Sequence, residues 1–404
     1  MTVLEMLYAR GFYTYLHGFG AIDFWLTGKY TSNSIFISTN ASTIDLAKLF
    51  ENLRYPGVDL ADAAVTDENE KTYFFKCIDS IDDNKPSFIL LDFYQDCKTK
   101  KFHDPHGIYP ILKEIRDNLI KQKTDDNQYD FFQILKNGIN PNIDSYRVLT
   151  DTALFISKYF NYDCGTDIQI NKIAALFNLK ECSPPCQEEQ RLFLTELITS
   201  LNPGHGLELL KESGFIKSLW AELAILEEAD QSKDFHPEGN AWEHTLETFR
   251  HRKTGSSKAR GQRITNNTAG SVYDLRLSLG LLLHDTGKPI ASSTSNHRYE
   301  GHAQLGEIQA RRFLDRLGFD QSLINDICFL VLNHMLPAAL PRLPLYRTEQ
   351  ILSSPLFPLL LELYRCDESS SFKGLDGYYE SSAAYQQFLR NRRVTPTDQR
   401  TEES

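Results

Sequence analysis

Leu275-Arg-Leu-Ser-Leu-Gly-Leu-Leu-Leu-His284-Asp285 is an apolar, helical run that ends in a charged pair. Such a pair at the end of a buried helix needs a partner, and a metal ion is the usual one. Other residues with ligand chemistry stand in similar settings. His244 lies in Trp-Glu-His-Thr-Leu, His302 in Tyr-Glu-Gly-His-Ala, and His334 closes the run Ile327–Asn333. Asp367 follows Leu356, Leu360 and Leu363 at helical spacing. A single histidine on an apolar face is ordinarily a hydrogen-bonded core residue. Joint presence changes that reading, because a lone carboxylate in a leucine stripe is costly unless it is paired or metal-bound. Neutral imidazoles with carboxylates suit Mn, Fe, Co, Ni or Zn, while Mg prefers oxygen ligands. The expectation is one or two divalent ions, with His244, His284, Asp285 and Asp367 as ligands and His302 and His334 serving a second ion or a phosphate. Such a centre acidifies water and clamps the oxygens of a phosphate ester, so phosphate-ester hydrolysis is the chemistry implied.

The order His, His-Asp, Asp resembles that of HD-domain phosphohydrolases. Three longer stretches are more specific: His236-Pro-Glu-Gly-Asn-Ala-Trp-Glu-His-Thr-Leu246, Leu282-Leu-His-Asp-Thr-Gly-Lys-Pro289 and Tyr299-Glu-Gly-His-Ala-Gln-Leu-Gly306. Together they resemble the C-terminal HD domain of bacterial CCA-adding tRNA nucleotidyltransferases. The resemblance implies phosphatase, 2'-nucleotidase or 2',3'-cyclic phosphodiesterase activity on nucleotides or RNA ends, with Asp285 catalytic and able to bridge two metals. Lys288 is suited to a phosphate oxygen and to charge in the transition state.

The N-terminal region resembles the nucleotidyltransferase head of the same family in a worn form. Tyr15-Leu-His-Gly-Phe-Gly-Ala-Ile-Asp-Phe-Trp-Leu-Thr-Gly-Lys29 is similar to the family's Tyr-Leu-Val-Gly-Gly-x-Val-Arg-Asp-x-Leu-Leu-Gly-Arg, with Gly18, Asp23 and Gly28 kept. Phe19 replaces the second glycine, whose bare backbone lets a triphosphate approach, and Ile22 replaces the arginine. Ser34-Ile-Phe-Ile-Ser-Thr-Asn-Ala41 resembles Asp-x-Asp-Ile-x-Thr-x-Ala, with Ser34 and Phe36 where the two metal-binding aspartates belong. Phosphoryl transfer needs those carboxylates to hold Mg, so no nucleotide addition is expected. Leu91–Asp96 and Phe102–Gly107 resemble the strand and turn that close the head. Asp144-Ser-Tyr-Arg147 resembles the opening of the neck, and Gln187–Leu192 with Glu196 a later neck helix.

The sequence therefore predicts an α+β chain: a small α/β nucleotidyltransferase-like head at 1–120, a helical neck at 121–230, an α-helical HD domain at 231–392, and a polar, disordered tail at 393–404. Strands are expected at Ser34–Ser38, Thr72–Ile78 and Ser87–Phe93, and a helix at Ile44–Leu53. Ala303, Gly306, Ala310, Phe313 and Leu317 are expected to form one buried stripe. At 404 residues the chain exceeds one core, and 41% hydrophobic with 24% charged residues is globular. The reading finds no apolar run able to span a bilayer and no signal peptide, and expects a cytoplasmic protein without a membrane partner. Seven cysteines without paired spacing read as free thiols.

A net charge of −11 argues against a protein that coats nucleic acid nonspecifically. Local charge differs in Arg250–Arg263, which has no acidic residue. Its ends adjoin ligand-bearing helices, so Lys253, Lys258, Arg260 and Arg263 are candidates to guide an anionic substrate, against the plainer reading of a solvated loop. Three functions are consistent with the sequence. First comes a metal-dependent phosphohydrolase, then a noncatalytic tRNA- or RNA-binding relative, then a nucleotidyltransferase whose carboxylates lie elsewhere.

Overall fold

The computed structural model describes residues 2–29, 32, 34–56, 61–68, 71–79, 93–105, 107–121, 132, 135–136, 145–160, 169–180, 182–230, 239–253, 274–293, 299–371 and 374–394. The chain is α+β and divides into two compact units, Met1–Leu219 and Trp220–Lys253 with Asp274 onward.

The first unit is built on a sheet of strands β1 (Thr14–His17), β2 (Ser34–Thr39), β3 (Ala63–Thr66), β4 (Thr72–Cys77), β5 (Tyr94–Asp96) and β6 (Phe102–His103), in the order β3-β4-β2-β1-β5-β6. Only the β2–β4 pairing is parallel among them. Alternation along β2 decides what each face does. Ile35 and Ile37 are 0% and 1% exposed and lie on the side of helix α2 (Gly18–Thr27), where Gly20 approaches Ile35. Ser34 and Phe36 face the other way, and Phe36, in register with Phe74 of β4, stacks on it at 5.0 Å. Gly18 opens α2 at φ 57°, a conformation glycine adopts freely.

Helices α1 (Val3–Ala9), α3 (Thr43–Leu49) and α4 (Tyr109–Lys121) accompany the sheet. They are followed by α5 (Ser145–Tyr159), α6 (Gln187–Ile198) and α7 (Pro203–Glu212). Helix α3 stops short of the expected Leu53 because Phe50 turns extended and buries its ring on Phe75 at 5.8 Å. The strand expected at Ser87–Phe93 falls, but for Phe93, outside the described residues.

The second unit is helical: α8 (Ala241–Arg250), α9 (Leu275–Leu283), α10 (His302–Arg316), α11 (Gln321–Asn333), α12 (Leu345–Leu352), α13 (Phe357–Ser369) and α14 (Asp376–Val394). Asn240 caps α8 through Glu243 N–H, and Asp274 caps α9 through Arg276 and Leu277 N–H. Helix α9 is the centre: a Cβ at Gly280 would lie 2.8 Å from Leu363 of α13 and 3.3 Å from Leu330 of α11. The stripe Ala303, Gly306, Ala310, Phe313 and Leu317 is buried as expected. The helix α14 continues through Val394, so the expected tail begins two residues too early. One stretch does meet the length and hydropathy of a bilayer span, contrary to the sequence reading: Gln321–Arg342, which holds an 18-residue window of mean hydropathy 1.5. Its α11 buries Ile324, Ile327, Leu330 and Val331 in the unit's own core, as a core helix does.

Candidate metal centre

The six expected ligands meet in the second unit. His244 comes from α8, His284 and Asp285 from the end of α9, His302 from the start of α10, His334 from the end of α11, and Asp367 from α13. They form two triads, His244/His284/Asp367 and Asp285/His302/His334, with the ligand atoms of each triad all within 4.8 Å of one another. The turn after Asp285 makes this assembly close. A Cβ at Gly287 would sit 1.9 Å from His302 O and 2.4 Å from Gly306 N, so the backbones of that turn and of α10 are pressed together. No residue but glycine leaves that space.

The hydrogen bonds fix the histidine tautomers. His284 Nδ1 lies 2.8 Å from Leu281 O, His302 Nδ1 2.7 Å from Tyr299 O, and His334 Nδ1 2.7 Å from Val331 O. A carbonyl only accepts, so each Nδ1 carries a proton, and a ring in its neutral form then turns a bare Nε2 inward. Ser370 Oγ donates to Asp367 O at 2.6 Å, which leaves it to accept from His244 Nδ1 at 3.2 Å. His244 Nε2 then faces Asp367 Oδ1 at 2.9 Å and Asp285 Oδ2 at 3.8 Å. His302 Nε2 and His334 Nε2 stand 3.1 Å apart, and His284 Nε2 is buried without a hydrogen-bond partner.

With both rings neutral, two lone pairs at that separation would repel unless a cation lay among them. A proton does not serve at neutral pH on His334, because burial pushes that imidazole down to about 4, with His284 adding to the effect and Asp285 opposing it. Burial would raise the Asp285 carboxyl, but His284, Lys288 and His244 outweigh it and hold the group well below the usual carboxylate range. Burial acts in the same sense on Asp367, and the His244 hydrogen bond and charge hold it low. Once those imidazoles give up their Nε2 protons, the lone pairs and the ionised carboxylates make a donor set that fits a divalent ion.

Lys288 places Nζ 2.6 Å from Asp285 Oδ2, so its charge reaches the cluster through that carboxylate. Lys253 is exposed, and Lys258, Arg260 and Arg263 lie outside the described residues. Ser370 went unnoticed in the sequence; its signal is its place one helical turn beyond Asp367.

In the first unit, Phe19 is buried and stacks on Tyr159 at 6.4 Å, with Lys158 Nζ 5.2 Å from its ring. Ile22 is fully buried in the core. Ser34 opens β2 and donates its N–H to Glu196 Oε1 at 2.8 Å. Asp23 is buried; its Oδ2 accepts from Ser32 N and Oγ at 2.8 and 2.7 Å, and its Oδ1 from the Tyr159 hydroxyl at 2.6 Å. Lys158 pairs with Glu196 at 3.0 Å and donates to Ser32 at 2.7 Å. Burial alone would weaken the Lys158 ammonium; Glu196 and Asp23 prevail and keep it charged. Sequence reading did not find Lys158 or Asp151, which are spaced along α5 among apolar residues.

Comparison with known proteins relates the chain by sequence to tRNA nucleotidyltransferases of the CCA-adding kind. It is 25% identical over 233 residues to the CC-adding tRNA nucleotidyltransferase of Thermus thermophilus, a match covering 57% of this chain and 47% of that protein. It is 30% identical over 115 residues to the multifunctional CCA protein of Halorhodospira halophila, covering 28% of this chain and 24% of that one. The matches thus span less than half of either relative. No family model matches. Among solved structures, the Bacillus stearothermophilus CCA-adding enzyme in complex with CTP is 14% identical, over 96% of this chain and 80% of that one, at a TM-score of 0.47. A tRNA nucleotidyltransferase complexed with a primer tRNA and an incoming ATP analog is 15% identical, over 97% and 100%, at 0.46.

Proposed function

We propose that the second unit is a metal-dependent HD-domain phosphohydrolase, cleaving a phosphomonoester or a 2',3'-cyclic phosphate of a nucleotide or an RNA end. The observation that carries this reading is the pair His302 and His334, whose Nε2 atoms face each other at 3.1 Å in a cluster that also holds two ionised carboxylates. His244, His284, Asp285 and Asp367 would hold one ion, and His302 and His334 with Asp285 a second. Bound there, a divalent ion supplies Lewis acidity that acidifies a water and polarises a phosphoryl oxygen. Asp285, kept ionised, would hold the ion that acidifies the attacking water, whose proton would pass to solvent. Lys288 offers its charge to a phosphate oxygen as negative charge grows in the transition state.

The test is hydrolysis of 2',3'-cyclic AMP, 2'-AMP and p-nitrophenyl phosphate by metal-loaded protein, beside the His284→Ala/Asp285→Ala double variant, with metal content measured on both. Turnover that needs metal and falls to background in the double variant is the expected result. Bound metal with no turnover on any substrate overturns the hydrolase reading.

A second reading, a noncatalytic tRNA- or RNA-binding relative, draws on the sequence relation to tRNA nucleotidyltransferases. It predicts tRNA binding that survives the double variant. Nucleotide addition is disfavoured by Ser34 and Phe36, whose positions offer no carboxylate; the Phe36 ring is stacked on Phe74. Incorporation of labelled CTP or ATP into tRNA would restore it. The same reading places the protein in the cytoplasm, with a nucleotide or an RNA end, or tRNA itself, as partner.

A further inference from the structure

Of the four imidazoles in the cluster, three give their Nδ1 proton to a main-chain carbonyl. His244 differs, because its Nδ1 partner is a side chain from a distant part of the sequence: Ser370 Oγ, 3.2 Å away. Ser370 lies just past the end of α13, buried, at φ −81° and ψ −7°. Its hydroxyl reaches back along its own helix and gives its one proton to Asp367 O at 2.6 Å. A single turn at the end of α13 thus carries both a candidate ligand, Asp367, and the group that sits behind a second one on α8.

Two neutral arrangements of this trio use the same heavy-atom positions. In one, the Ser370 proton stays on Asp367 O, His244 Nδ1–H donates to Ser370 Oγ, and Nε2 keeps a lone pair for an ion. In the other, Ser370 turns its proton to Nδ1, and His244 donates Nε2–H to Asp367 Oδ1 at 2.9 Å. That second arrangement takes the nitrogen and one carboxylate oxygen out of the donor set together. The distances decide between them. A hydroxyl at 2.6 Å from a carbonyl is well inside the ordinary O–H···O range, whereas 3.2 Å to Nδ1 is at the far limit of a hydrogen bond, so the hydroxyl proton stays with the carbonyl.

We propose that Ser370 is a positioning residue for metal capture: its hydroxyl fixes the His244 proton on Nδ1 and so reserves Nε2 for the ion instead of for Asp367. The inference rests on the reading of this cluster as a metal centre. Groups behind metal-binding imidazoles set their tautomer and ring orientation, and losing one typically weakens binding about 10–100-fold. Alanine at this position removes the acceptor behind His244 and leaves the hydrogen bond to Asp367 as the ion's competitor. Threonine keeps a hydroxyl able to bond the same carbonyl.

Zinc titration of the full chain against a chromophoric chelator compares wild type with Ser370→Ala and Ser370→Thr, each checked for an unchanged circular dichroism spectrum. Nitrogen-15 spectra of histidine-labelled protein report which ring nitrogen carries the proton before and after zinc, with the His244 signals assigned by their absence in His244→Gln. Ser370→Ala is expected to bind zinc about 10–100-fold more weakly and, free of zinc, to shift the His244 proton from Nδ1 to Nε2. Ser370→Thr is expected to restore both. A general loss of packing would lower stability and leave the tautomer where it is. Wild-type protein that binds no zinc overturns the metal-centre reading together with this proposal. Zinc bound equally by wild type and Ser370→Ala, or a His244 tautomer shared by the two, overturns this proposal alone.

Discussion

Gly287→Ala tests the close packing on which the cluster depends. Gly287 has φ −84° and ψ −16°, a conformation alanine adopts without strain, so any effect is steric. The new Cβ would lie 1.9 Å from His302 O, whereas ordinary contact begins at 3.4 Å, and relief requires a separation of about 1.5 Å. The obstructing atoms, His302 O and Gly306 N, are backbone atoms of α10 and cannot escape by changing rotamer. The first turns of α10 must move as a body and carry His302 with them. A metal site tolerates about ±0.2 Å in its ligand distances, so a shift of this size removes His302 from the set. Overpacking costs about 1–3 kcal/mol, and with backbone on both sides the upper end applies, which lowers the melting temperature by roughly 6–12 °C for a unit of this size. Scanning calorimetry and metal analysis by mass spectrometry read both effects. Gly301→Ala is the control: its φ of 75° strains alanine, but its nearest neighbour is Gln304 Oε1 at 4.0 Å. It should lose about 1–2 kcal/mol and keep its metal. A Gly287→Ala protein with wild-type melting and metal content would refute the reasoning.

Gly206→Ala should destabilise the first unit by about 1–3 kcal/mol in urea titration, because its Cβ would lie 2.8 Å from Ala153 O and 2.7 Å from Leu197 Cδ1. Asp23→Asn should cost about 1–3 kcal/mol, since at least one of the donors from Ser32 and Tyr159 then meets an N–H₂. The same change should bring the Tyr159 phenol down in ultraviolet titration, because Asp23, after burial, is what raises it. Asp151 gives a pH signature: its carboxyl moves from 3.8 unfolded to about 7 folded. The folded state therefore keeps a proton that the unfolded state has lost, and stability falls as pH rises through that window. Asp151→Asn should flatten this slope in melts from pH 4 to pH 8; an unchanged slope would show that another group sets it.

The cluster of candidate ligands was legible because four of its six members break a local rule. His284 and Asp285 end a leucine run, His334 ends another, and Asp367 interrupts a leucine stripe, and water-facing residues have no reason to be there. Strands β2 and β4 were legible from their alternation. The network of Asp23, Ser32, Lys158, Tyr159 and Glu196 was not, because its members lie on separate elements and each alone is an ordinary polar residue. The Phe50 turn was hidden for a similar reason: the residue suits a helix, and only the waiting face of Phe75 draws it out of one. Asp151 reads as a helix-surface carboxylate until α5 is packed, and burial then changes its chemistry.

Each of His284, His302 and His334 is steered by a carbonyl three residues earlier in its own chain. Aim is thus a local property of each helix end, set before the helices meet and independent of the other imidazoles. Replacing one of them should leave the rest pointing inward, so single variants would form a graded series of weakened chelators. The carboxylates are held differently: Asp285 pairs with Lys288 in its own turn and Asp367 with His244 of another helix, and Asp285 alone is within 4.0 Å of all four imidazoles, so its loss would be felt by every histidine at once.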